Sequence, residues 1–212
     1  MNLVIRNEEP ADYRAVEEAA REAFWNLYFP GCHEHYVIHK MRSHRDYIDE
    51  LTFVLEVDNK IAGGIFFSRS GIVGEGHERV ETITFGPVFI LPEFHRRGFG
   101  RRLITHGIEA AQAAGFRAIL TLGYPYHYAT YGFTGGKKFG ISMPDGLFYQ
   151  GLLVLPLYEG ALEGISGHAV FSDVFEVTQE EVDAYDKNFP YKEKKVQESQ
   201  MEYEAAIARL EE

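Results

Sequence analysis

The chain has 212 residues, of which 45% are hydrophobic, and a formal net charge of −11 at neutral pH. This length and apolar content suffice for a sizeable core, in one domain with an appendage. The acidic balance argues against nucleic acid as a main partner. No apolar run approaches the roughly 20 residues that cross a bilayer, so we expect no membrane segment. The single cysteine, Cys32, permits no intrachain disulfide, so we expect a reducing, cytoplasmic location.

The first half of the chain shows an antiparallel pattern. Its apolar periodicities predict a strand, a helix, a short helix and a two-stranded hairpin before a glycine-rich loop. We expect the strand over residues 3–6, the helix over 10–24 and the short helix over 36–41. The hairpin is expected over 52–57 and 61–70, and the loop over 71–78.

The second half of the chain predicts a β-α-β unit. A long strand over 79–91 needs a bend, which Gly86-Pro87 can supply. A helix follows Gly100, and further elements are expected over 117–122 (strand), 126–130 (short helix) and 148–157 (strand). The fold class is therefore mixed α/β. We assign residues 1–157 to one domain and 158–212 to a partly helical C-terminal extension, in which Thr178-Gln179-Glu180-Glu181 has a capping-box pattern.

The most informative motif spans residues 88–102, where an apolar strand leads through a polar turn into a helix. Gly98 and Gly100 stand at the helix start, where free N–H groups and the helix dipole attract anions. Four arginines crowd into seven positions here: Arg96, Arg97, Arg101 and Arg102. Such a cluster alone is typical of a solvated surface patch. Combined with the strand, turn and helix, it favours an anion site.

The sequence excludes two common phosphate-binding motifs. The dinucleotide fingerprint G-x-G-x-x-G fails, because Leu103 occupies the third glycine position. A Walker A loop ending at Gly136-Lys137 fails as well, since Tyr131 replaces its first glycine and Lys138 its Ser or Thr. A pyrophosphate held by backbone amides remains.

Two motifs together resemble the GNAT superfamily of N-acetyltransferases. Gly98 and Gly100 match its signature [Q/R]-x-x-G-x-[G/A], with His95 in the first position. Residues 128–133, Y-A-T-Y-G-F, are similar to its second signature, Y-x-x-x-G-F. The superfamily resemblance covers roughly residues 2–139. The wider pattern resembles a bacterial branch of predicted acetyltransferases with unassigned substrates.

The resemblance implies a GNAT acyl-CoA N-acyltransferase fold with acetyl-CoA as co-substrate. In that fold the strand at Val88 splays from the strand that follows Arg117, and its free backbone binds the pantetheine arm like an added strand. The amides of the glycine turn then bind the pyrophosphate. The implied cofactor-binding residues are Val88, Phe89, Ile90, Arg96, Arg97, Gly98, Phe99, Gly100 and Arg101.

The resemblance also places Tyr128 as the general acid that protonates the departing thiolate. Packing is the alternative role for this residue, since three further tyrosines lie within four positions of it. The strand over 118–122 carries no acid, so the next candidate for the general base is Glu81. An exposed charge at a strand end is the alternative role for Glu81.

We therefore expect an N-acetyltransferase that moves an acetyl group to a primary amine of a small molecule or protein, by direct attack in a ternary complex. Cys32 is not expected to carry an acyl group, and the chain is compatible with a homodimer. The alternatives are a non-catalytic acyl-CoA-binding sensor or regulatory module, and a nucleotide-binding protein. His35 and His39 have helical i, i+4 spacing but match no metal template, so no metal is expected.

Overall fold

The computed structural model describes residues 2–211 of the chain. Nine strands lie in this part: β1 (Leu3–Asn7), β2 (Phe53–Val57), β3 (Lys60–Val73), β4 (Arg79–Ile90), β5 (Ala118–Leu122), β6 (Thr134–Gly135), β7 (Ile141–Ser142), β8 (Leu152–Pro156) and β9 (Gly167–Val170). Six α-helices accompany them: α1 (Tyr13–Phe24), α2 (Glu34–Met41), α3 (Phe99–Ala113), α4 (Pro125–Tyr128), α5 (Gln179–Asp186) and α6 (Glu198–Ile207). None of the helices between residues 2 and 211 has the length and apolarity that a membrane span requires.

The strands form one sheet, whose main path runs β1-β2-β3-β4-β5-β8-β6. Strand β9 lies off this path and pairs with both β3 and β7. Pairing is antiparallel apart from the β4–β5 and β7–β9 neighbours. The mixed α/β class and the early hairpin, β2–β3, are therefore confirmed.

Strand β3 is longer than predicted. Its residues Gly71 to Val73 pair with β4 on one side and with β9 on the other, and Ile72 is fully buried. The predicted loop over 71–78 is therefore wrong for its first three residues. Because β9 lies in the predicted C-terminal extension, the sheet continues past residue 157. The domain boundary at that residue stays a prediction.

Helices cover both faces of the sheet. On one face, α1 and α2 bury Val16 and Ile38 against Phe66 of β3. On the other face, α3 buries Leu103. A Cβ on Gly107 of α3 would lie 3.0 Å from the ring of Phe67, so the glycine allows α3 to approach β3 closely. Each such large apolar side chain stabilises the fold by about 1.5–3 kcal/mol through burial.

A β-bulge at Gly86-Pro87 changes the direction of β4. Ile65 of β3 pairs with Val88. Two residues further along β3, Phe67 pairs with Phe85, which lies three residues back on β4. One residue of β4 is therefore extra, so that both Phe85 and Val88 pack in the core beneath α3. A bulge bends its strand and increases the local twist, which confirms the predicted bend.

The C-terminal extension packs on α1 and the loop that follows it. The guanidinium of Arg21, itself buried, donates hydrogen bonds of 2.6 and 3.0 Å to the two carboxylate oxygens of Asp186 in α5. From α6, the amide of Gln200 donates to the main-chain oxygen of Asn26 at 3.0 Å. The paired contact between Arg21 and Asp186 fixes orientation as well as distance.

His35 lies fully buried where α2 meets the extension. Its Nδ1 is 3.3 Å from the Cys32 sulfur, and its Nε2 is 3.3 Å from a carboxylate oxygen of Asp186. Burial lowers the pKa of the His35 imidazole from 6.5 to about 4, although the Asp186 carboxylate acts in the opposite direction. The folded chain therefore keeps this ring neutral at pH values where the unfolded chain protonates it.

We predict that His35 makes the chain less stable in mild acid. Because the unfolded chain binds the proton below pH 6.5, the free energy of unfolding falls as pH drops from 6.5 to about 4. Between pH 7 and pH 5 the loss attributable to His35 is about 2 kcal/mol. Urea unfolding of the wild type and the His35→Gln variant measures it, since other titrations cancel in their difference. A difference in stability that stays constant over this range would contradict the prediction.

Candidate active site

A cleft opens between β4 and β5, because these parallel neighbours separate soon after they meet. They pair at Ile83 and Ile119, and beyond that point the Thr121 hydroxyl donates to the oxygen of Phe85 at 3.4 Å. From Val88 onward, β4 pairs with β3 but with no strand on its other side within residues 2–211. Alternate N–H and C=O groups of this segment therefore face the cleft.

The turn before α3 presents backbone N–H groups to the same region. Arg96 and Gly98 both adopt left-handed backbone conformations, with φ of 58° and 78°. The first helical bond of α3 runs from the Arg102 N–H to the Gly98 oxygen, so the N–H groups of residues 98–101 have no intrahelical acceptor. The left-handed conformation of Arg96 costs about 1–2 kcal/mol. Such strain is typical of a functional turn.

One hydrogen-bonding contact holds this turn against the end of β4, and Gly100 lies close beside it. The ring Nε2 of His95 lies 2.8 Å from the main-chain oxygen of Ile90. A Cβ on Gly100 would lie 3.6 Å from the Ile90 side chain, which is an ordinary contact distance. The predicted cofactor residues of β4 and of the turn therefore lie side by side. The side chains of Arg96 and Arg101 are exposed and free to reach an anion.

Tyr128 lies at the end of α4, beside β4. Its ring centroid is 5.7 Å from that of Phe85 and 5.6 Å from that of Phe133. A Cβ on Gly123 would lie 2.5 Å from the Tyr128 ring, so the glycine after β5 makes room for it. Burial raises the pKa of the Tyr128 phenol to about 12, with a smaller contribution from Tyr131. The phenol is therefore fully protonated at neutral pH.

Glu81 lies near the start of β4, four residues before Phe85. Its carboxylate is exposed and forms an ion pair with Arg69 of β3. Four residues of strand span about 13 Å, so the structure does not bring Glu81 to Tyr128.

A cavity of about 840 Å³ adjoins Tyr128 at the carboxyl end of β5. Its walls come from the segment after β5, the segment before β8, the loop after α1, and α6 with the residues that follow it. Six tyrosines line it: Tyr28, Tyr124, Tyr126, Tyr128, Tyr149 and Tyr203. Of these, the sequence singled out only Tyr128, because the others come from segments without a recognised motif.

Glu34 is an acidic residue near the cavity that the sequence did not single out as catalytic. It begins α2, and one of its carboxylate oxygens accepts the His33 backbone N–H at 3.0 Å. Burial raises the pKa of the Glu34 carboxyl to about 7. Its negative charge also helps raise the pKa values of Tyr28 and Tyr203 in the cavity wall. A half-buried acid without a sequence motif gives no signal until the fold is known.

His35 and His39 do not converge on a common point. His35 faces Cys32 and Asp186, whereas the Nδ1 of His39 lies 3.2 Å from a carboxylate oxygen of Glu17. Both rings have partners in the network that joins α2 to α1 and α5.

Solved structures of two similar proteins contain coenzyme A or its acetyl thioester. The GNAT family N-acetyltransferase YhbS of Escherichia coli, in complex with CoA, superimposes with a TM-score of 0.73 at 22% identity, over 84% of this chain and 93% of that one. A GNAT family acetyltransferase of Brucella melitensis, in complex with acetyl-CoA, gives a TM-score of 0.67 at 22% identity, over 82% and 98%. These similarities show the fold.

Sequence comparison agrees with the structural comparison. The uncharacterized N-acetyltransferase YhbS of E. coli K12 is 23% identical over 174 residues, which are 82% of this chain and 98% of YhbS. The uncharacterized N-acetyltransferase YjhQ of the same strain is 31% identical over 83 residues, 39% of this chain, and the match spans only 45% of YjhQ. The model of the acetyltransferase (GNAT) family matches residues 18–133, more than half of the chain. The chain therefore belongs to the GNAT family of acetyltransferases.

Proposed function

We propose that the chain transfers the acetyl group of acetyl-CoA to a primary amine, by direct attack within a ternary complex, with Tyr128 as general acid. One observation carries the proposal: Tyr128 borders both the β4–β5 cleft, through Phe85, and the tyrosine-lined cavity. A donor in the cleft and an acceptor in the cavity would meet at its hydroxyl. The CoA and acetyl-CoA complexes of the two similar proteins support acetyl-CoA as the donor.

The chemistry accounts for the phenol. The amine nitrogen forms a bond to the thioester carbonyl carbon, and the tetrahedral intermediate collapses with cleavage of the carbon–sulfur bond. The electron pair leaves with sulfur, and the resulting thiolate takes a proton from Tyr128. Because burial raises the pKa of Tyr128 to about 12, the phenol carries its proton at neutral pH and has one to donate. The phenol then regains a proton from the nitrogen side through solvent.

In the same proposal, the β4–β5 cleft binds acetyl-CoA, the acetyl donor. The free backbone groups of residues 88–90 pair with the amides of the pantetheine arm, as an added strand would. The N–H groups of residues 96–101 hold the pyrophosphate at the start of α3, with help from the dipole of that helix. Backbone donors bind phosphate oxygens without a metal ion.

Two carboxylates compete for the role of general base. Glu81 is the residue that the sequence suggested, but its partner is Arg69. Glu34 is placed better, because its charge acts on Tyr28 and Tyr203 in the cavity wall. A carboxyl group with a pKa near 7 takes a proton from an ammonium group more readily than an ordinary carboxylate.

We predict that Tyr128→Phe lowers kcat by at least about tenfold, with little change in acetyl-CoA affinity, since general acid catalysis contributes roughly 10²–10⁴-fold. The change removes the proton donor but keeps the ring that packs on Phe85. Steady-state CoA release and calorimetric titration measure the two quantities. Tyr126→Phe is the matched control, since Tyr126 lines the same cavity but is 71% exposed. Unaltered turnover in Tyr128→Phe would remove the phenol from the mechanism.

If the wild type binds acetyl-CoA but acetylates no amine, the chain is an acyl-CoA-binding module instead.

A second prediction concerns the pyrophosphate site. In Gly98→Ala the added methyl meets no atom within 4 Å, and the left-handed backbone at this position costs about 1–2 kcal/mol, so the variant should fold with a modest loss of stability. The methyl group stands at the turn where phosphate oxygens approach the backbone, so the Kd for acetyl-CoA should rise about tenfold. Thermal unfolding and calorimetric titration separate these effects. Wild-type affinity in the folded variant would show that the turn does not hold the pyrophosphate.

A third prediction concerns the position of Tyr128. The methyl group of Gly123→Ala would lie 2.5 Å from the tyrosine ring, so the ring must move and stability should fall by about 1–3 kcal/mol. Gly151→Ala is the control, because its Cβ would lie 3.5 Å from the nearest atom in the same wall. Urea unfolding and kcat are measured for both variants. Equal effects of the two substitutions would contradict the packing of Tyr128 against Gly123.

A further inference from the structure

We infer that the tyrosine-lined cavity beside Tyr128 is the acceptor site, and that it takes a small amine whose charged nitrogen is joined to an aromatic or similarly flat apolar body. This inference rests on the proposed function and deepens it by naming the substrate class. The amine reaches the reaction centre through contacts with the cavity wall, while the donor occupies the β4–β5 cleft.

The size and wall of the cavity suit such a molecule. Its volume of about 840 Å³ lies within the range of roughly 300–1,000 Å³ found for small-molecule sites. Aromatic rings meet in pairs around it: the centroids of Tyr28 and Tyr203 are 4.5 Å apart, and those of Tyr124 and Tyr126 are 5.4 Å apart. Flat faces of this kind favour flat ligands by stacking.

Charge in and around the wall favours a cation. The carboxylate of Asp145 lines the cavity and accepts the Tyr149 hydroxyl at 2.7 Å. Glu34 and Glu202 act on wall tyrosines from outside the lining. Among the described residues that line the cavity, Arg209 is the only lysine or arginine. Tyrosine faces also attract cations directly, by about 0.5–2 kcal/mol each.

The C-terminal segment restricts the length of the acceptor. Residues of α6 and the turn after it form one wall of the cavity. That wall is joined to the segment before β8, because the Gln150 N–H donates to the Arg209 oxygen at 2.9 Å and the Glu211 N–H to the Phe148 oxygen at 2.8 Å. An extended polypeptide cannot run through the cavity along this closed side, which favours a small molecule as the acceptor.

Calorimetric titration of the full chain, saturated with CoA, tests the inference without requiring turnover. The probes are phenethylamine, its uncharged analogue phenethyl alcohol, the polyamine spermidine and a short lysine-containing peptide. Phenethylamine should bind at least about tenfold more tightly than each of the other three, since only it combines the ring with a compact cation. Equal or tighter binding of spermidine or the peptide would overturn the substrate class, and absence of phenethylamine binding would overturn the site.

Substitutions in the cavity wall test where phenethylamine binds. Tyr203→Ala should weaken phenethylamine binding about tenfold and leave acetyl-CoA binding unchanged. Ile207→Ala, in the same wall, is a second variant in case the first disturbs α6. Tyr191→Ala is the control, since Tyr191 is 89% exposed and lies outside the cavity lining. Unchanged amine binding in both wall variants would overturn the role of α6. If the wild type does not bind acetyl-CoA, the proposed function itself is wrong.

Discussion

The divergence of β4 from β5 is the constraint on which the proposed chemistry depends. The two strands pair at Ile83 and Ile119, and the bulge at Gly86-Pro87 then turns β4 away. A sheet that closed here would satisfy its own backbone and leave no free N–H and C=O groups for the proposed donor site. Because it opens, a row of N–H and C=O groups on β4 stands beside the unpaired amides at the start of α3. Local strand geometry and the helix terminus thus combine to form one cleft.

Residues of α6 and the turn after it supply one wall of the tyrosine-lined cavity. The attachment of the C-terminal extension begins far from the cavity, where Asp186 of α5 binds the buried guanidinium of Arg21. From there the chain returns over the loop after α1 and places Tyr203 against Tyr28. In the proposed function, the donor cleft therefore comes from the region that the family model matches, whereas one wall of the acceptor cavity comes from residues beyond that match.

Features that depend on neighbouring residues were predictable from the sequence. The bend at Gly86-Pro87 and the glycine turn before α3 are local patterns of backbone geometry. The capping box at α5 is equally local, and its two reciprocal bonds join Thr178 and Glu181. The short helix that carries Tyr128, predicted over 126–130, is observed at Pro125–Tyr128.

Features that depend on distant partners were not predictable. Residues 71–73 form strand rather than loop because β9, almost 100 residues later, pairs with them. Glu34 and Tyr203 become neighbours of the cavity only when α2 and α6 pack around Tyr28. Glu81 lies on the strand that leads to the cleft, yet the adjacent strand supplies Arg69 as its partner. Single-sequence patterns carry no information about such pairings.

Amide hydrogen exchange in the presence of acetyl-CoA tests the central claim most directly, because it observes the backbone groups that are proposed to bind. Acetyl-CoA should slow the exchange of amides in residues 88–90 and 96–101 together, whereas ATP, which lacks pantetheine, should leave residues 88–90 unchanged. Unchanged exchange at residues 88–90 with saturating acetyl-CoA would contradict the account, since the open edge of β4 would then not be the donor site.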